Sequence, residues 1–267
     1  MKKSSILYTI VLVLTCVILA SCKSKTESAD YSAIADLDGK VLGMVETPTT
    51  VTIEQINQMM DANLKSVATF PTYNEALMAL KSDRVDAINV SKPQAEYTIQ
   101  TDSSYKYIVG NGKTPIQVSM LTTTNNTELL GQINDAIKAL KNSGELDALN
   151  EKYIANVSIE AVSLPSVKEG VQTIQVGVSG DMPPFDYLSA SGKPSGFNVA
   201  LMGAIADYAG FNVEFVTVPF SAKFSALLSD RIDVFFFHGG ILSQDDVIAT
   251  DVYYENLEGG LLVKDHS

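Results

Sequence analysis

One eight-residue pattern occurs twice in this chain. Ala79-Leu80-Lys81-Ser82-Asp83-Arg84-Val85-Asp86 and Ala226-Leu227-Leu228-Ser229-Asp230-Arg231-Ile232-Asp233 share the pattern Ala-Leu-x-Ser-Asp-Arg-(Val/Ile)-Asp, and between them they hold both arginines of the sequence. The pattern reads as the last turn of a helix, a sharp turn, and the start of a buried strand. Asp83 and Asp230 stand where a helix end needs a left-handed residue, which Asp tolerates. The following runs, Ala87 to Val90 and Val234 to Phe237, are short and apolar, as in a parallel sheet covered on both faces. Each copy is preceded by another apolar run, Val41 to Val45 and Ile174 to Val178, with helical stretches in between. Strand–helix–strand alternation in both halves predicts two α/β lobes.

The rest of the chain fills in the frame. Thr114 to Leu121 reads as a strand, and Glu128 to Tyr153 as two amphipathic helices. Leu129, Ile133, Ile137 and Leu140 keep helical spacing until Asn142-Ser143-Gly144 breaks it. Val157 to Val171 carries Pro165 and no periodicity, and reads as a linker. With 267 residues the chain can bury two cores, and 19% charged residues argue against global disorder. A net charge of −12 argues against a nucleic-acid partner, which needs a basic stripe. Two Cys and two His are too few for a Cys/His metal cluster or a disulfide scaffold, so no metal or cofactor is expected. No heptad pattern stands out, and a monomer is expected.

The first residues form an address. Lys2 and Lys3 precede the apolar run Ile6 to Leu19, which is short for a membrane span. Leu19-Ala20-Ser21-Cys22 then resembles a bacterial lipobox. The resemblance implies that Cys22 is lipidated, that 1–21 is a removed signal peptide, and that 22–35 is a polar tether. An uncleaved anchor helix is the other reading. The lipid would hold a soluble body at the cell envelope, in the periplasm or outside the cytoplasmic membrane.

Asp181 to Ala209 carries a more specific string: Pro183-Pro184-Phe185-Asp186-Tyr187, then Gly192-Lys193-Pro194-Ser195-Gly196-Phe197-Asn198-Val199, with Gly210-Phe211-Asn212-Val213 continuing it. It resembles the first lobe of the amino-acid-type (family 3) extracellular solute-binding proteins of ABC importers. Asp36-Leu37-Asp38-Gly39-Lys40 resembles the start of the family's second lobe, and 128–153 is similar to its closing helices. The resemblance implies a two-lobed, periplasmic-binding-protein-like fold with a central cleft, its lobes in permuted order. Lobe two would be 36–114. Lobe one would be 115–267, with the hinge strand, the closing helices 128–153 and the linker 157–171, and one covalent crossover at Thr114 to Leu121. A truncated tandem of two binding proteins is the alternative to a circular permutant.

By the same resemblance the protein is not an enzyme: it captures a small solute and delivers it to an ABC permease. A sensor or adaptor on a degenerate cleft, and a periplasmic enzyme on the same fold, are the rival functions. Phe220 stands where the family places a stacking aromatic, and Phe185 is a second candidate for that wall; both also read as core residues. The loop from His238 and Gly239 through Ser243 to Asp245 and Asp246 replaces the family's hydroxyls and carboxylate-clamping Arg, with an acid at the Arg position. Ser91 takes the place of the family's ammonium-binding Asp. Thr47 and Thr49, around Pro48, keep hydroxyls where the family opens an anion-binding helix. Both halves of a zwitterion clamp are thus missing. The expected ligand is a small polar or cationic solute.

Overall fold

Both copies of the repeated motif fold alike. The computed structural model describes residues 30–47, 51–111, 116–238 and 245–266, and at 237 and 238 the backbone alone. Asp83 and Asp230 adopt left-handed φ values of 57° and 55°. Ser82 Oγ donates to Met78 O and Ser229 Oγ to Ser225 O, each at 2.8 Å. The final Asp of each copy clips the start of its lobe's first strand. Asp86 Oδ2 accepts from Val41 N at 2.8 Å, and Asp233 Oδ2 from Gln175 N at 2.7 Å. The residue before it folds onto a glycine of that strand: a Cβ on Gly43 would lie 3.2 Å from Val85 Cγ2, and one on Gly177 would lie 2.6 Å from Ile232 Cδ1. Arg84 and Arg231 are exposed, so the motif is an architectural clip.

Lobe two contains β1 (Val41–Val45), α1 (Ile53–Met60), β2 (Ser66–Phe70), α2 (Tyr73–Lys81), β3 (Ala87–Ser91), α3 (Lys92–Thr101) and β4 (Tyr105–Val109). The chain then enters β5 (Ile116–Thr123), followed by α4 (Thr127–Ser143) and α5 (Glu145–Asn150). Gly144, at φ 79°, ends α4 where the apolar spacing stops. Lobe one continues with β6 (Thr173–Val178), a small sheet of β7 (Asp181–Met182), β8 (Asp186–Leu188) and β9 (Pro194–Ser195), then α6 (Phe197–Ala209), β10 (Asn212–Thr217), α7 (Lys223–Leu228) and β11 (Val234–His238). The remaining strands are β12 (Val247–Ala249), β13 (Tyr254–Leu257) and β14 (Gly259–Lys264).

The sheets have matching orders, β2-β1-β3-β14-β4 and β10-β6-β11-β5-β12. In each, three parallel strands are followed by an antiparallel one, β14 or β5. That fourth strand reaches each sheet from the other lobe. The chain therefore crosses twice, between β4 and β5 and at Glu258, where the sequence predicts one crossover and all of 115–267 in lobe one. The two crossings touch, Gly110 N donating to Gly259 O at 3.1 Å. A Cβ on Gly110 would collide with Gly259 O, and one on Gly260 with Ile108 O and the Tyr107 hydroxyl, so this hinge needs glycine for close backbone approach.

Each lobe has its own core. In lobe two Phe70, Tyr73, Ala76, Leu80, Val85, Ile88 and Leu262 pack together. In lobe one the helices α4 to α6 cover one face of the sheet, with Ile133, Ile174, Val176, Phe197, Leu201 and Phe236 inside, and α7 covers the other through Ala226, Leu227, Ile232 and Phe235. This two-sided cover is why the central strands read as unbroken apolar runs. The 157–171 segment forms no helix or strand and lies over α6, where Leu164 Cδ2 and Pro165 Cδ approach Gly203. The expected tether is docked from residue 30 on: Tyr31 and Ile34 are buried, and the Tyr31 hydroxyl donates to Asp86 Oδ1 at 2.8 Å.

Candidate functional site

Parallel strands leave their chemistry at their carboxyl ends, where side chains and helix N-termini converge. In lobe two those ends carry Glu46 and Thr47 after β1, Pro71 and the start of α2 after β2, and Ser91 at the end of β3. In lobe one they carry Ser179 to Asp181 after β6 and Pro219 to Lys223 after β10. The two edges meet. Ser221 of lobe one lines a cavity of about 300 Å³ whose other walls come from lobe two, including Met44, Glu46, Thr47, Ile56 and Thr69. Asp181 Oδ2 accepts from Tyr73 N, the first amide of α2, at 2.6 Å. The rings of Tyr97 on α3 and Tyr187 on β8 stand 5.7 Å apart.

A charged cluster lies under this contact. Lys223 opens α7 and is 1% exposed. Its Nζ stands 5.3 Å from the Phe220 ring centre and 6.0 Å from that of Phe235, so two π faces offset a small part of its lost hydration. Burial pushes the Lys223 ammonium below its ordinary range, against the opposing charges of Asp186 and Asp181. Among the described residues no carboxylate stands at ion-pair distance from it. Asp186, 1% exposed, accepts from Ser179 N at 2.6 Å, Gly180 N at 3.1 Å and Asn198 Nδ2 at 3.0 Å, and so fixes the turn that presents Asp181. Asp181 is half-buried. Burial raises its carboxyl above the usual range, while the Tyr73 and Asn74 amides and the Lys223 charge pull it down. Among the described residues the buried Ser179 hydroxyl has no hydrogen-bond partner.

The expected site residues divide. Phe220 lies at the cleft edge, half-buried, against Lys223. Thr47 lines the cavity. Ser91 sits at the cleft edge of β3, but its hydroxyl is committed to Gln94 Oε1 at 2.9 Å. Phe185 is corrected from wall to core: it is 1% exposed because the backbone around it caps α6, with Phe197 N donating to Pro184 O and Asn198 N to Phe185 O. Asp245 and Asp246 are also corrected. They are exposed, and Asp246 O accepts from Thr124 N, beyond the end of β5. Because β5 runs antiparallel to β11, that place is the edge of the sheet opposite the cleft. The His238 backbone lies at the cleft end of β11; its side chain, with Gly239, Ser243, Thr49 and Cys22, falls outside the described residues.

Asp181, Lys223, Ser221, Tyr73, Tyr97 and Tyr187 escaped the sequence reading. Lys223 had a usable signal: it shares a helix face with Ala226 and Leu227, three and four residues on, and that face is buried. Asp181 had none.

The family model for bacterial extracellular solute-binding proteins, family 3, matches residues 26–156 and 174–266. A probable amino-acid ABC transporter-binding protein of Haemophilus influenzae is 35% identical over 66 residues, which are 25% of this chain and 26% of that protein, well short of its whole length. A zinc-bound ligand-binding component of an ABC-type import system from Staphylococcus aureus superposes with a TM-score of 0.49 at 10% identity, over 85% of this chain and 66% of that one. The GluR0 ligand-binding core from Nostoc punctiforme, in complex with L-glutamate, gives 0.42 at 8% identity, over 85% and 86%. At these TM-scores the two likenesses say nothing of function. Among the described residues no helix is long and apolar enough to cross a membrane.

Proposed function

Since this chain belongs to the bacterial extracellular solute-binding proteins of family 3, we propose that it captures a small neutral-polar or cationic solute between its two lobes and hands it to an ABC permease. The observation that carries this reading is the meeting of the two carboxyl-end strand edges across the cavity that Ser221 shares with lobe two. The acids placed there favour a cation over an organic acid. Glu46 lines the cavity, and elsewhere on the cleft edge Asp181 and Asp186 are two acids facing the single ammonium of Lys223. Phe220 supplies an aromatic surface at the rim. Capture is followed by release rather than by bond cleavage, and the protein is not an enzyme.

In this proposal Cys22 carries a lipid that keeps the binding lobes at the envelope, and the protein works as a monomer. The family's parts stand in permuted order. Two observations support that order: the family match comes in two separate blocks, and Asp30 and Asp265 both meet Lys106, so that the two ends of the lobes lie together. The 157–171 segment then acts as the joint between the family's original ends.

The test is a thermal-unfolding panel of arginine, lysine, spermidine, putrescine, glycine betaine, glutamate and succinate. A bound solute at about 100 times its Kd adds about 2.7 kcal/mol to the folded state. A concentration-dependent rise with a cationic or betaine-type member is expected. A rise with glutamate or succinate alone would overturn the solute class.

A further inference from the structure

We propose that Asp181 is a positioning residue that draws the cleft shut from within the chain, its carboxylate capping helix α2 across the lobe boundary. The proposal rests on the cleft reading above and adds the residue that sets closure. Asp181 belongs to lobe one, and the amides it meets belong to lobe two. Tyr73 N donates to Asp181 Oδ2 at 2.6 Å, and the next amide, that of Asn74, also favours the charged form of this carboxylate. α2 has nine residues, and its local cap leaves these amides unserved, since the Thr72 hydroxyl accepts from Glu75 N at 3.2 Å. The first amides of a helix attract negative charge. In a two-lobed binder that charge can come from a solute; here the protein supplies it.

The surroundings keep the carboxylate in place. Asp181 pairs in β7 with Tyr187 of β8, and the turn before it is fixed by three donors on Asp186. Lys223 of α7 provides the counter-charge to Asp181 and Asp186, and Glu75 of α2 is the acid in the first turn of the capped helix. The clasp therefore holds while Asp181 is ionised. The α2 amides favour the ionised carboxylate against its burial, so acidification that protonates it weakens the clasp.

Hydrogen exchange of the full chain, with no solute added, reads the clasp directly. Protection of the Tyr73 and Asn74 amides is expected to fall at least tenfold in Asp181→Ala, with the β6 and β10 amides unchanged as a control for folding. In the wild type the same two protection factors are expected to drop on acidification, and in Asp181→Asn to be low and flat with pH. Lys223→Met is expected to lower them by a smaller factor. Protection of Tyr73 and Asn74 that is equal in Asp181→Ala and wild type overturns the proposal. A pH profile in Asp181→Asn identical to wild type does so as well. The solute panel separates the two claims: a solute-dependent thermal shift alongside unchanged protection in Asp181→Ala sinks the clasp and leaves the cleft standing.

Discussion

Lys223 is the residue whose placement is hardest to justify by stability alone. A buried ammonium loses its hydration, and two rings with two distant carboxylates return only part of it. Lys223→Met keeps the length and the apolar contacts with Phe220 and Phe235 while removing the charge. At pH 7 the variant is expected to equal the wild type or exceed it by about 1–2 kcal/mol in urea unfolding. The sign with pH follows from its lowered range. Between that range and 10.5 the unfolded chain binds the proton more than the folded one, so wild-type stability rises with pH there. The variant's advantage is expected to shrink as pH climbs toward 10.5. An advantage that is constant from pH 7 to 10.5 would contradict the buried charge. The residue sits in register with Ala226 and Leu227, so its burial is readable from spacing, although a lysine is seldom buried. The sequence offers Phe185 both as cleft wall and as core, and the backbone there caps α6 and turns the ring inward.

Elements were legible where their chemistry is local. The Ser-Asp-Arg turn, the left-handed Asp and the strand behind it follow from residues within a few positions of one another, and both copies obey them. The final Asp of each copy is the firmest part. Removing Asp86 or Asp233 by Ala leaves the Val41 or Gln175 amide without its carboxylate acceptor, at a cost of about 1.5–3 kcal/mol each. The costs are expected to be similar in the two lobes, as measured by chemical denaturation. Which sheet a strand joins is not local. The apolar run of β14 gives no hint that it lies between β3 and β4 rather than in lobe one, because edge and partner are chosen by the fold. The same holds for Asp245 and Asp246, whose distance from the cleft is fixed by the antiparallel direction of β5. The hinge offers a test at this scale. Gly110→Ala pushes a methyl into Gly259 O, and is expected to cost about 1–3 kcal/mol in thermal unfolding. A neutral substitution would mean that the two crossings do not touch as described.

At the scale of the whole molecule, two similar lobes exchange one strand each and face one another across their carboxyl-end edges. The doubling was visible in the sequence, and so was the family likeness of the 183–202 string. The cleft's inner surface was not, since its members come from five separated segments and are linked by contacts such as Asp181 to Tyr73, 108 residues apart. The central claim is that a solute binds in this gap and changes how the lobes stand. The sequence has two cysteines, Cys16 and Cys22, both near its start. With Cys16 and Cys22 both replaced, label pairs can be introduced at the exposed Met59 of lobe two and Tyr208 of lobe one. The decisive measurement is the distance distribution between these labels by pulsed electron resonance in an Asp181→Ala background, which removes the clasp, with and without the panel solute that most raises the unfolding midpoint. The account predicts that this solute narrows the distribution and shifts it to one value, and that Phe220→Ala weakens the response. A solute that stabilises the fold while leaving the distance unchanged would place binding elsewhere and contradict it.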